Sequence, residues 1–95
     1  MTDESDLRPR VTAGEAADRL LESEDYKLAV VEAQTRLMRA WASTEPRDHA
    51  TREELYFEIR AIQQVDLSLR LRAEDGQVAK SMLGQFQAKM KKMFA

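Results

Sequence analysis

The chain of 95 residues has no cysteine, three glycines, two prolines and a single histidine. Without cysteine there is no disulfide framework and no thiolate zinc site, and one histidine cannot build a multi-histidine metal centre. So few glycines and prolines leave too few turns for an all-β fold. No apolar run approaches the roughly 18 residues of a membrane span, and the first residues lack the apolar core of a secretory leader. The expectation is a soluble, intracellular protein.

Motifs of chemistry are missing as well. There is no glycine-rich phosphate loop, and the serines and threonines fall at cap and turn positions rather than in a nucleophile elbow. Glu53, Glu54, Glu58 and Asp66 invite a carboxylate metal site, but the Glu-x-x-His pairs of a di-iron centre do not accompany them. His49 stands beside Asp48 in a loop or at a helix start, without partners for catalysis or metal binding. The reading is therefore a protein that is not an enzyme, with no catalytic, cofactor-binding or metal residues and no cofactor.

What the chain does have is helical periodicity. Hydrophobic residues make up 43% and charged residues 34%, a balance suited to exposed helices around a thin core. In Thr51–Ala73, Leu55, Ile59, Ile62, Leu69 and Ala73 recur at steps of three and four, with Asp66 in the missing place. Thr51 with Glu54 reads as a capping box opening that helix. A second apolar run follows, through Ala79, Met82, Leu83, Phe86, Met90 and Met93. Gly76 lies between the two and costs a helix about 1 kcal/mol relative to alanine. One long helix over 51–91, bent or loosened at Gly76, is expected, with a true break as the alternative. Asp66 is expected at the stripe edge in reach of water, or else in a polar layer that sets register between subunits.

Upstream, residues 1–11 read as a flexible arm. Thr12 and Glu15 suggest a capping box for a short helix over 13–22, whose apolar face is Ala16, Ala17, Leu20 and Leu21. Ser23-Glu24-Asp25 marks a new start, and a helix over 24–43 ends at the Ser43–Asp48 turn around Pro46. That helix is apolar on two sides: Leu28, Val31, Met38 and Ala42 on one, Tyr26, Val30, Ala33, Leu37 and Trp41 on the other. The turn predicts antiparallel neighbours.

The expected fold is all-α, one helical domain over 12–95: a short N-terminal helix and a long, coiled-coil-like antiparallel hairpin. It is expected to be a homo-oligomer, because a lone hairpin would expose Val30, Leu37 and Trp41. The predicted subunit interface is Tyr26, Val30, Leu37 and Trp41 with Tyr56, Leu67 and Leu71.

The net charge of −2 conceals an asymmetry: residues 1–25 carry eight acids against three arginines, and residues 76–95 carry four lysines and no acid. The tail reads first as a bundle segment with a solvated basic face, packed up to Met90; of its residues Lys89, Met90, Lys91, Lys92, Met93 and Phe94 are expected to meet a protein partner, with nucleic acid or an anionic membrane as the alternatives.

Arg19-Leu20-Leu21-Glu22-Ser23, Ala29, Ala40-Trp41, Thr44, Asp48, Arg52-Glu53-Glu54-Leu55-Tyr56 and Glu74-Asp75-Gly76-Gln77-Val78-Ala79 together carry a resemblance. This order resembles small helical proteins encoded by tailed bacteriophages and prophages, over about residues 17–80. The resemblance implies a viral setting, in the cytoplasm of a bacterial host or associated with the virion. The expected function is a non-enzymatic virion assembly or packaging component. The alternatives are a nucleic-acid adaptor of the small-terminase kind, using the tail lysines or the Arg47/Arg52 region, and an inhibitor or ligand sponge. The latter would bind a host protein or nucleotide signal between subunits.

Overall fold

The computed structural model describes residues 3–94. Among the described residues there are three α-helices and no strand: α1, Glu4–Glu22; α2, Glu24–Ala42; and α3, His49–Met93. The protein is all-α.

Helix α1 begins nine residues before the start expected at residue 13, so most of the predicted flexible arm is helical; Met1 and Thr2 lie outside the described residues. Its start is built by Asp3 and Asp6. The Asp6 N–H donates to Asp3 Oδ1 at 3.2 Å, and the Asp3 N–H donates back to Asp6 Oδ2 at 3.4 Å. The Ser5 hydroxyl, 2.6 Å from Asp3 Oδ1, is the main influence holding the Asp3 carboxyl below its ordinary value. Pro9 lies inside the helix, where proline costs about 3 kcal/mol. Leu7, only 2% exposed, offsets much of this, since full burial of a leucine contributes about 1.5–3 kcal/mol. Thr12 is consequently interior, its hydroxyl donating to the Arg8 carbonyl at 3.1 Å rather than capping.

Ser23 caps α2, accepting from the Tyr26 N–H at 3.3 Å. At the far end the Ser43 hydroxyl donates to the Arg39 carbonyl and the Thr44 hydroxyl to the Trp41 carbonyl, each adding to the bond that its own residue's backbone N–H makes to the same oxygen. Helix α3 starts at His49, two residues from the start expected near Thr51, and Asp48 rather than Thr51 is the cap: its Oδ1 accepts from the Thr51 N–H at 3.2 Å. From there α3 runs unbroken for 45 residues, through Gly76.

The chain divides into two compact units: residues up to Leu21 with those from Leu69 onward, and Glu22–Ser68. In the first, α1 packs on the later part of α3 through small residues. Gly14, Ala17, Ala73, Gly76 and Ala79 are buried, and Gly14 and Gly76 meet backbone to backbone. Leu7 lies near Met82 and Phe86, so the two segments run in opposite directions. Of the face expected for this helix, Ala17 is buried and Leu21 half-buried, but Ala16 and Leu20 are exposed, and Leu7 and Gly14 join the buried side instead.

In the second unit α2 lies along the first part of α3, with Tyr26 paired to Asp66 at one end and Trp41 to Arg52 at the other. The half-buried positions of α3 here are Arg52, Leu55, Ile59, Ile62 and Asp66, an unbroken run of three- and four-residue steps. No residue of α2 is fully buried.

Candidate interaction surfaces

The contacts of Tyr26 and Trp41 decide which apolar side of α2 turns inward. Tyr26 donates its hydroxyl to Asp66 Oδ1 at 2.9 Å, and Trp41 presents its ring to the Arg52 guanidinium, 4.6 Å from the ring centroid. Arg52 Nε also donates to Thr44 Oγ1 at 2.9 Å, tying the end of α2 to the first turn of α3. Both aromatics lie on the side with Val30, Ala33 and Leu37, and that side turns towards α3. Tyr26, Val30, Leu37 and Trp41, expected at the subunit interface, are therefore half-buried within the unit. The open side is the other one: Leu28, Val31 and Met38 are 57%, 58% and 56% exposed. Three further residues expected at the interface, Tyr56, Leu67 and Leu71, are exposed on α3.

These contacts also revise two polar residues. Asp66 faces Tyr26, a partner that the sequence reading did not consider. Arg52, expected among the basic residues open to nucleic acid, is half-buried against Trp41 and Thr44. Small apolar clefts open beside both contacts, one among Tyr26, Ala29, Val30, Ala33, Ile62 and Val65, the other among Met38, Trp41, Tyr56 and Ile59. Their linings offer few polar groups to orient a substrate.

In the unit of α1, Arg10 holds Asp75 in a fork: Nε to Oδ2 at 3.0 Å and Nη2 to Oδ1 at 2.7 Å. The Arg10 hydrogen bonds keep the Asp75 carboxyl below its ordinary value, and Asp75 raises Arg10 in return. The sequence reading did not find this pair, because no periodicity relates residues 65 apart.

Of the tail residues expected to bind a partner, Lys89 to Met93 form the end of α3 and Phe94 follows it. Coverage falls off along it: Met82, Phe86 and Met90 are 36%, 37% and 41% exposed, Met93 and Phe94 74% and 77%. Lys89, Lys91 and Lys92 are exposed among them. This makes an apolar stripe with a basic flank on one helix.

Among the described residues no group of three or more His, Cys, Asp or Glu is placed to hold a metal ion. No helix among them is long and apolar enough to cross a membrane. A comparison with known protein families, curated proteins and solved structures finds nothing that matches this chain.

Proposed function

We propose that the protein is a non-enzymatic, self-associating helical component, acting in the assembly or packaging of a bacteriophage particle. The observation that carries this reading is the two-sided helix α2, whose Tyr26–Trp41 side is used within the chain while Leu28, Val31 and Met38 stay open. A helical hairpin with a second apolar side is an unfinished coiled-coil-like bundle, and other copies of the chain finish it. The magnitude limits how. Covering a side chain already half-covered contributes about 1 kcal/mol, so three from each of two copies give about 6 kcal/mol before the cost of association. Association through α2 alone is therefore weak, and exposed α3 residues such as Tyr56, Leu67 and Leu71 add to it in a larger oligomer. The bacteriophage setting rests on the sequence resemblance, and the basic end of α3 is the part that reaches a protein partner.

Deleting the coding sequence from the phage that carries it tests the role. The expected result is a fall in complete, DNA-filled particles, with the protein found in assembly intermediates by mass spectrometry. Unchanged particle yield and DNA content would overturn the proposal. A nucleic-acid adaptor would reveal itself by tight DNA binding at low salt, lost as salt rises.

A further inference from the structure

The open side of α2 has a finer pattern than an apolar patch. Leu28, Val31, Thr35, Met38 and Ala42 follow steps of three, four, three and four, and all five are exposed. That spacing holds a continuous seam against a second helix. Thr35, the smallest of the middle three, lies in a surface depression with Val31, Glu32, Arg36 and Arg39, a hole of the kind that receives a side chain from a facing helix.

The charges of α2 divide along its axis. Its first half carries Glu24, Asp25 and Glu32 against Lys27, three acids and one base, for −2; its second carries only Arg36 and Arg39, for +2. Asp25, Glu32, Arg36 and Arg39 have no ion-pair partner among the described residues. A parallel copy would set acid against acid and base against base. An antiparallel copy sets each half against its opposite.

We propose that α2 docks on α2 of a second copy in antiparallel register about Ala33. Leu28 then faces Met38 of the second copy, and Val31 enters the depression at its Thr35. Asp25 falls beside Arg39 of the second copy and Glu32 beside its Arg36, each pair occurring twice by symmetry. This inference rests on the self-association proposed above and adds the surface and the register.

The absence of cysteine from the chain makes disulfide trapping clean. The full-length variants L28C and M38C are oxidised separately and as an equal mixture, and dimers are read on a non-reducing gel. Both positions are exposed, so each variant keeps its fold, checked by circular dichroism. The mixture should yield at least about tenfold more covalent dimer than either variant alone, because only opposite positions come within bonding distance. Equal or stronger trapping of the single variants, as a parallel pair would give, overturns the register. The reduced native chain is sedimented alongside. If it is monomeric, self-association and seam fall together; if it is oligomeric while the mixture gives no cross-link, the seam alone falls. Charge reversal gives a second readout: D25R and R39D should each weaken association by about tenfold, and the double variant should restore it. Failure of that restoration counts against the antiparallel pairing.

Discussion

A methyl group added at Gly14 would stand 2.5 Å from the Cα of Gly76, and one at Gly76 would stand 2.6 Å from the Cα of Gly14. Neither backbone can turn aside as a flexible side chain would. Replacing helical glycine by alanine normally gains about 1 kcal/mol, but overpacking costs about 1–3 kcal/mol. Gly14→Ala and Gly76→Ala should each destabilise the fold by up to about 2 kcal/mol net. Gly84 is the internal control, because an added methyl there meets nothing within 4 Å, so Gly84→Ala should stabilise by about 1 kcal/mol. Urea unfolding of the three variants checks this; three shifts of the same sign would contradict the backbone contact. Read singly in the sequence, Gly76 marks only a weak point in a long helix. Its purpose lies in the spacing Gly14-x-x-Ala17 and Ala73-x-x-Gly76-x-x-Ala79, which shows where two helices can approach closely only once the two runs are set side by side.

At the level of elements, the cap of α3 separates two readings. Asp48 accepts from the Thr51 hydroxyl, the main cause of its lowered carboxyl pKa, and from the Thr51 N–H. Asp48→Ala loses both bonds and Thr51→Ala only one, so the first should lower the melting temperature more; the reverse order would restore Thr51 as the cap. Acid should test α1 in the same way. The folded pKa of Asp75 lies below the ordinary 3.8. The stability it contributes is therefore complete above that value and is lost as the pH falls through the lower folded value. Asp75→Asn should lower the melting temperature at neutral pH and flatten its decline below about pH 4, where aspartates take up protons. A melting curve with the same acid slope in both proteins would show that the Arg10–Asp75 fork contributes nothing. The sequence made the periodic middle of α3 legible, from Leu55 through Ile62 to Ala73, because an apolar stripe is a local pattern. The start of α1 was hidden, because Pro9 argues against a helix and the burial of Leu7 depends on residues about 75 positions away.

For the molecule as a whole, the legible fact was that α2 has two apolar sides. Which side turns inward was not legible, since periodicity cannot rank two stripes of similar composition. The choice falls to pairings across the unit, Tyr26 with Asp66 and Trp41 with Arg52. Once those are made, Leu28, Val31 and Met38 are left exposed, the surface on which the proposed self-association rests. Sedimentation equilibrium of the native chain over micromolar concentrations tests that consequence most directly. The mass should rise with concentration to at least twice the 10.9 kDa of one chain. A mass of 10.9 kDa at every concentration would contradict it.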